Sequence, residues 1–255
     1  MTIALIYHDL AERDARESVG MTGPVAGRYK LTPADFAAHL DAVRATGRGV
    51  GLLGARPWPD VAFTFDDGGA SALLAASMLE ERGWRGHFYV TTDRVGTPGF
   101  LDADGVRDLA ARGHVIGSHS HTHPRYMGKL TREELLFEWG HSRELLNEIL
   151  GSPPQSAAIP GGYLAPVVTE TAAATGYSLL LTSEPSSRAV RKGPLTQLGR
   201  YTIWDDTPAA TAAAYAERSV RARGRLWAEW QLKKTAKRTI PVGYRALQRL
   251  RASRS

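Results

Sequence analysis

Short apolar runs alternate along the chain with longer segments in which apolar residues recur at helical spacing. The runs Ile3–Tyr7 and Val61–Phe65 predict buried strands, because almost no polar side chain interrupts them. Further short runs predict strands at 49–53, 87–91, Val115–Ser118, 155–159, 177–182 and 198–203. The glycine-containing stretch 10–31 has no clear period and predicts a long surface loop.

Helix signals fall between these runs. Thr32 precedes Pro33 and an acid in the first turn, and Thr131 opens a capping box with Glu134. Predicted helices cover 32–46, 70–82, 102–112, 131–150 and 167–175. Regular alternation of strands and helices predicts an α/β fold with parallel strands. About seven parallel strands are roughly enough to close a (β/α) barrel.

Composition restricts the possible chemistry. The 255 residues suit one α/β domain with an appendage, and 43% hydrophobic with 23% charged residues is ordinary for a globular protein. The chain has no cysteine, so thiolate metal sites, disulfides and a cysteine nucleophile are excluded. With neither a signal-peptide pattern nor a long apolar segment, the sequence predicts a cytoplasmic protein.

Positive charge is concentrated at the C-terminus. From Tyr215 onward there are twelve Lys or Arg and two Glu, so the net charge of +6 comes from this tail and the rest of the chain is slightly acidic. We therefore predict two regions, a barrel domain at 1–208 and a basic, partly amphipathic helical extension at 209–255. In this tail, apolar residues recur at near-helical spacing among the cations. The pattern predicts that 209–232 packs on the barrel and that 225–255 makes peripheral contact with the inner membrane face. Nucleic acid is not an expected partner, since no known binding fold accompanies the charge.

Two adjacent acids end the second predicted strand. Val61–Phe65 leads into Asp66 and Asp67 and then into a pair of glycines. An Asp-Asp-Gly sequence also suits a solvated turn, which is our interpretation of Asp205-Asp206. The buried strand that leads into Asp66 and Asp67 favours a catalytic pair at a strand's carboxyl end.

A histidine cluster follows the strand Val115–Ser118. His119 and His123 are four residues apart, so a helical turn would let both bind one ion and point His121 elsewhere. In an extended segment all three would share one face, and Pro124 favours a tight turn. Alone, the cluster also fits a solvated loop, but the neighbouring carboxylates favour a metal site.

Together these motifs resemble the polysaccharide deacetylase family (NodB homology, carbohydrate esterase 4). The resemblance rests on Thr64-Phe65-Asp66-Asp67-Gly68, on His119-Ser120-x-x-His123-Pro124 and on the preceding 112–118, and it covers roughly residues 1–205. It implies a distorted (β/α) barrel with its site at the strands' carboxyl ends. It also implies that Asp67, His119 and His123 bind the metal and that Asp66 is the general base.

The third motif departs from the family pattern. Position 158 is Ala where the family commonly has an Arg, and the segment Pro160-Gly161-Gly162-Tyr163 resembles a Pro-Gly-Gly branch that includes poly-N-acetylglucosamine deacetylases. We expect this turn to contact substrate and to offer backbone N–H groups to an oxyanion. Arg200 is the candidate replacement for the missing arginine.

The family's last motif also differs, because no histidine follows His141. His8 ends the first strand, which in a closed barrel adjoins the last one, so we expect His8 to be the general acid in a circularly permuted arrangement. A structural role as the cap of a strand end is the alternative. His39, His87 and His114 are expected to be structural or at the surface.

These patterns predict a metal-dependent carbohydrate N-deacetylase. A divalent metal would activate water, zinc being the first expectation and cobalt, nickel or manganese the alternatives. The alternatives are a deformylase or other C–N hydrolase acting on a lipid- or nucleotide-linked sugar, and a non-catalytic glycan-binding or membrane-associated barrel.

Overall fold

A single sheet forms the centre of the structure, a computed structural model that describes residues 1–54, 57–162 and 164–239. Its strands are β1 (Ile3–Tyr7), β2 (Val61–Phe65), β3 (His87–Val90), β4 (Val115–Ser118), β5 (Ser156–Ala158), β6 (Leu179–Leu181), β7 (Val190–Lys192), β8 (Leu195–Leu198) and β9 (Tyr201–Thr202). The order across the sheet is β7-β8-β6-β5-β4-β3-β2-β1-β9. Every pair is parallel except β7 with β8.

The two ends of the sheet meet through one short stretch of chain. Strand β8 pairs with β6, whereas β9, only two residues further on, pairs with β1 at the other end. Gly199 lies at this crossing, where a Cβ atom would come 2.2 Å from the Glu184 carbonyl oxygen. The sheet must therefore curl into a distorted barrel, and the crossing places Arg200 between its ends.

Helices cover the outside of the sheet. They are α1 (Pro24–Gly27), α2 (Pro33–Ala45), α3 (Ala72–Glu80), α4 (Ala103–Ala111), α5 (Arg132–Leu150), α6 (Pro166–Ala174), α7 (Ala209–Ala216) and α8 (Val220–Thr239). The predicted caps form, since the Thr32 hydroxyl accepts a hydrogen bond from the Asp35 N–H at 3.0 Å and Thr131 makes a full capping box with Glu134. The predicted α/β architecture is confirmed.

Aromatic side chains from neighbouring strands and helices fill the main core. Phe65 of β2 stacks on Phe88 of β3 with ring centroids 4.7 Å apart, and Phe36 of α2 packs edge-on against both Phe65 and Tyr7. A second cluster, which contains Ala4, Ala62 and Tyr89, is buried on the other face, as expected for a parallel sheet. Packing on both faces holds the carboxyl ends of β1, β2 and β3 in fixed positions.

Two strand predictions are wrong. The stretch 49–53 forms only an isolated bridge, Val50 to Val61, because beyond it the Leu53 N–H donates to the side-chain Nε2 of His87 at 2.8 Å and not to a neighbouring strand. The stretch 198–203 is not one strand but is divided between β8 and β9 at the barrel crossing. The exposed antiparallel strand β7 has no clear signal in the sequence; it turns into β8 at Gly193, a residue with φ 60°.

The C-terminal extension begins on the barrel. Helix α7 lies against α2, and Tyr215 is buried in the main core. Leu226 of α8 joins that core, whereas Trp227 and Leu232 are exposed. No helix in the described part of the chain is long and apolar enough to cross a membrane. Residues 240–255 lie outside the described residues, so the domain boundary at 208 and the membrane contact stay predictions.

Candidate active site

Asp66 and Asp67 follow β2 directly, at the carboxyl edge of the barrel. The Asp66 N–H donates to the Tyr7 carbonyl oxygen at 3.0 Å, which extends the β1–β2 ladder by one residue. The chain then bends, because Asp67 and Gly68 both have positive φ, 77° and 81°. This bend begins at Asp67, one residue before the glycine pair, and brings both carboxylates to the site. Backbone in this region is costly for a residue with a side chain and is often found at functional sites.

The segment 119–123 is neither helical nor extended. Ser120 and His123 have φ values of 63° and 59°, so the chain folds back on itself after β4. Serine hydroxyls hold the turn, since Ser118 Oγ accepts from the Ser120 N–H and Ser120 Oγ accepts from the His123 N–H, both at 3.1 Å. A helical turn is therefore not what brings the two imidazoles together.

Glu138 of α5 supports the histidine loop, a role that its sequence context does not predict. Its carboxylate is buried and accepts hydrogen bonds from the His121 and Thr122 N–H groups, each at 2.9 Å, and from the Thr122 hydroxyl at 2.6 Å. A charged acceptor with three donors fixes the loop strongly. In sequence Glu138 looks like any acid on a solvated helix face.

Asp67, His119 and His123 form a candidate metal centre. One ligand atom from each lies within 4.8 Å of the others, with Asp67 Oδ1 at 3.4 Å from His119 Nε2 and 3.3 Å from His123 Nε2. Asp67 Oδ1 is buried and has no hydrogen-bond partner among the described residues. The His119 Nδ1–H donates to the Ala158 carbonyl oxygen at 2.9 Å, which leaves Nε2 as the lone-pair nitrogen. Two imidazole nitrogens and a carboxylate oxygen without another partner are suitable ligands for a divalent cation. Three protein ligands would leave a coordination position open for water or substrate.

Arg200 holds Asp66 at both oxygens. Its Nη1 and Nη2 atoms donate to Asp66 Oδ1 and Oδ2 at 2.6 and 2.8 Å, and Nη1 also donates to the Thr64 hydroxyl at 3.1 Å. The guanidinium is fully buried and its Nε donates to the Thr182 carbonyl oxygen at 3.2 Å. The structure thus places the predicted Arg200, which lies in the crossing between β8 and β9, against the predicted base.

His8 lies beside these acids at the end of β1. Its half-buried imidazole packs against the Tyr29 ring, with ring centroids 4.5 Å apart. Burial lowers the pKa of His8 below the ordinary value, whereas the nearby charges of Asp67 and Asp66 act to raise it. The structure therefore places the predicted acid next to the predicted base and metal ligand.

The Pro160–Gly162 turn follows β5 and forms a short 3-10 helix in which Gly161 has φ 63°. It lies close to the metal centre, since the carbonyl of Ala158 just before it holds His119. The Gly162 N–H already donates to the Ile159 carbonyl oxygen at 3.0 Å, which is a reason against its use for an oxyanion. Tyr163 lies outside the described residues.

The electrostatics of the site favour ionised carboxylates. Burial by itself would raise the pKa of Asp67, but the imidazoles of His119 and His123 hold it well below the ordinary value. Burial would raise the pKa of Asp66 as well, but the charge and hydrogen bonds of Arg200, together with the nearby imidazoles of His119 and His8, outweigh it, so that this pKa is also lowered. Both acids are therefore anionic at neutral pH, as a metal ligand and a proton acceptor need to be.

The remaining histidines lie outside the candidate centre. His39, His87 and His114 each bond to backbone groups, at Thr207, Leu53 and Gly86 respectively. Their expected structural role is consistent with these contacts. His121 points away from the metal ligands and contacts Thr92, Phe137 and His141.

One expectation about the acids is wrong. Asp205 is not on a solvated turn, because its side chain is 8% exposed and pairs with Arg16 at 2.9 Å. Its neighbour Asp206 is 69% exposed, as expected, and pairs with Arg28. The pairing ties the segment after β9 to the loop that follows β1.

Comparisons with known proteins agree with this geometry. The sequence profile of the family described as polysaccharide deacetylase matches residues 54–180, which contain both the paired acids and the histidine loop. No curated protein matches the chain significantly.

Several solved structures share the fold. A polysaccharide deacetylase from Bacillus cereus is 20% identical with a TM-score of 0.72, over 84% of this chain and 68% of that one. IcaB from Ammonifex degensii is 23% identical with a TM-score of 0.66, over 85% and 97%. A de-N-acetylase from Aggregatibacter actinomycetemcomitans is 17% identical with a TM-score of 0.70, over 84% and 99%. At these identities the similarity shows the fold alone.

Proposed function

Since the chain belongs to the polysaccharide deacetylase family and is a carbohydrate N-deacetylase, we propose that it removes N-acetyl groups from an amino sugar within a glycan, by hydrolysis that depends on a divalent metal. The observation that supports this most directly is the cluster of Asp67, His119 and His123 beside the clamped carboxylate of Asp66. Zinc is the first expectation for this donor set, because nitrogen and carboxylate ligands with an open position suit it.

Each residue of the cluster has a separate part in binding the ion. Asp67, His119 and His123 would hold it, and the Ala158 carbonyl and the Glu138 carboxylate keep the two imidazoles in place. A divalent cation bound there supplies Lewis-acid charge, which acidifies water and polarises the amide carbonyl. The low pKa of Asp67 keeps this ligand anionic over the neutral range.

Asp66 is the proposed proton acceptor. Arg200 holds its carboxylate in one orientation through two charge-assisted hydrogen bonds, so the remaining lone pairs have fixed directions. Asp66 Oδ2 lies 3.9 Å from His119 Nε2, which places the base beside the metal ligands. A water molecule between them would lose a proton to Asp66 as its oxygen attacks the acetyl carbon.

His8 is the proposed proton donor. As the new C–O bond forms and the C–N bond breaks, the nitrogen keeps the electron pair and takes the proton of His8. The products are acetate and a free amino sugar. Backbone N–H groups at Gly161 and Tyr163 are the proposed oxyanion contacts, and Gly162 is left out because its N–H is already bonded. The similarity of this turn to a Pro-Gly-Gly branch favours a poly-N-acetylglucosamine-like substrate.

Acetate release tests the proposal. The purified protein, loaded with zinc, cobalt or nickel, is incubated with N-acetylglucosamine oligomers of two to six units, and acetate and formate are both measured. We expect the wild-type protein to release acetate. Asp66→Asn should lower this rate by roughly 1000-fold, because it removes the base. Asp104→Asn, the same exchange at a side chain 87% exposed, is the matched control and should keep full activity.

Other outcomes would point elsewhere. Formate release from N-formylated sugars without acetate release from N-acetylated ones would identify a deformylase. Metal bound without any turnover, together with saturable oligomer binding, would indicate a glycan-binding barrel. Either result contradicts the proposed deacetylation.

A further inference from the structure

No described residue gives the proposed acid, His8, the hydrogen-bond partner that usually orients a catalytic histidine. Its Nδ1 atom is buried and has no hydrogen-bond partner among the described residues. His119 differs, because its Nδ1 is fixed by the Ala158 carbonyl oxygen at 2.9 Å. A histidine that transfers protons normally has its second nitrogen held by a carboxylate or carbonyl. Among the described residues, the contact that could fix this ring is the one with the Tyr29 side chain.

The Tyr29 ring covers one side of the His8 imidazole. Their centroids are 4.5 Å apart and the ring planes are inclined by 44°. The Tyr29 hydroxyl interacts with the Trp204 side chain, and Tyr29 itself is half-buried. The phenol is therefore supported at its outer end while its ring meets His8.

The backbone around Tyr29 is anchored on both sides. The Leu31 N–H donates to the Asp9 carbonyl oxygen at 3.2 Å, and the Ala11 N–H donates to the Leu31 carbonyl oxygen at 2.9 Å. On the other side, the Asp205 N–H donates to the Arg28 carbonyl oxygen at 2.9 Å. The loop that begins after β1 at His8 thus returns to the end of β1, where Tyr29 contacts the His8 ring.

A buried lysine closes the base of this loop. Lys30 is 1% exposed and its ammonium donates to the carbonyl oxygens of Arg16 and Val19. Burying an ammonium is costly unless it is hydrogen-bonded, so these contacts fix the loop in one conformation. Tyr29 is the neighbour of Lys30 and shares its rigidity.

We propose that Tyr29 is the positioning residue of His8, holding the imidazole by ring contact where a hydrogen-bonded carboxylate would otherwise hold it. The inference rests on the proposed function, in which His8 protonates the departing amine. An aromatic face within about 6 Å of a cation also stabilises its charge. Burial disfavours the protonated form of the His8 imidazole, and contact with the Tyr29 ring acts in the opposite direction by stabilising that form.

The leaving group separates this role from a general packing role. When an N-acetyl sugar is cleaved, the C–N electron pair ends on a basic amine that needs the proton of His8. When 4-nitrophenyl acetate is cleaved, the C–O electron pair ends on a phenolate that leaves without a proton. Loss of the acid's orientation should therefore slow amide hydrolysis and spare ester hydrolysis.

The test compares Tyr29→Leu, which removes the aromatic face, with Tyr29→Phe, which keeps it. In Tyr29→Leu we expect kcat for acetate release from N-acetylglucosamine tetramer to fall by about 10- to 100-fold, a part of what a general acid contributes. The rate with 4-nitrophenyl acetate should stay within about threefold of wild type. Tyr29→Phe should stay within about threefold of wild type on both substrates.

Two further variants separate the possible failures. His8→Ala should show the same amide-selective loss as Tyr29→Leu, and Asp66→Asn should lose both activities. If His8→Ala is amide-selective and Tyr29→Leu is not, the proposed function stands and the role of Tyr29 is wrong. The role of Tyr29 is also wrong if Tyr29→Leu loses activity equally on both substrates, or if Tyr29→Phe does not keep the amide rate of wild type. A wild-type protein that cleaves the ester but no N-acetyl sugar overturns the proposed function itself.

Discussion

Replacing Arg200 by methionine removes the partner of a buried carboxylate and keeps much of the side-chain volume. Arg200 is fully buried and Asp66 is 5% exposed, so neither charge has water to replace the lost contact. The substitution deletes two hydrogen bonds to Asp66 and one each to Thr64 and Thr182. Breaking a buried ion pair from one side costs about 3–5 kcal/mol of folding free energy.

This loss should be visible as a change in melting temperature. For a chain of 255 residues, 3–5 kcal/mol corresponds to a decrease of roughly 6–20 °C. Removing the stranded charge as well, in Arg200→Met with Asp66→Asn, should recover at least half of the free energy. Urea unfolding followed by circular dichroism gives the four values of the double-mutant cycle.

The matched control is Arg107→Met. Arg107 is 50% exposed and pairs with an Asp104 that is 87% exposed, so its loss should cost less than about 1 kcal/mol. A free energy of unfolding for Arg200→Met within about 1 kcal/mol of wild type, with no coupling to Asp66, would refute the reasoning that the clamp is a buried ion pair.

Two other residues give independent predictions. Glu138→Gln keeps the shape of the side chain but weakens its hold on the histidine loop, so zinc affinity measured by competition with a chelator should fall about 10- to 100-fold; unchanged affinity would show that the loop needs no charged acceptor. Hydrogen bonding to Arg112 lowers the pKa of Glu80 from 4.5 to about 2. Stability from ionised Glu80 is therefore present above pH 4.5 and is lost as the pH falls toward 2. The stability difference between wild type and Glu80→Gln, about 1 kcal/mol after allowance for solvent screening, should shrink across this window in urea unfolding; a constant difference would contradict the assignment.

The sequence could predict the elements of the fold because their signals are local. Apolar runs such as Val61–Phe65 need no long-range information to be recognised as buried strands, and the cap at Thr131 marks its helix start directly. Paired acids after such a strand indicated the site in the same way. The resemblance to a known family then assigned separate roles to Asp66 and Asp67, roles that stay predictions.

Contacts between residues that are far apart along the chain could not be predicted from the sequence. Arg200 reaches Asp66 only because the chain crosses from β8 to β9 there, and this crossing splits what looked like one strand. Glu138 is indistinguishable in sequence from solvated helix acids, since its burial comes from packing against the histidine loop. Tyr29 lay in a stretch interpreted as a surface loop, and its contact with His8 depends on how that loop returns. The backbone geometry of the histidine loop was likewise hidden, because positive φ at Ser120 has no clear sequence signal.

Metal removal and reloading show whether hydrolysis depends on the ion proposed to lie between Asp67, His119 and His123. The protein is stripped with a chelator, dialysed, reloaded with increasing zinc and assayed for acetate release from N-acetylglucosamine tetramer, with bound metal counted by elemental analysis. We expect activity to vanish on stripping and to return in proportion to bound zinc, saturating at one ion per chain. Asp67→Ala should neither retain the ion nor recover activity. Full activity in the stripped protein would rule out a metal-dependent reaction, and zinc retained stoichiometrically by Asp67→Ala would rule out Asp67 as a ligand.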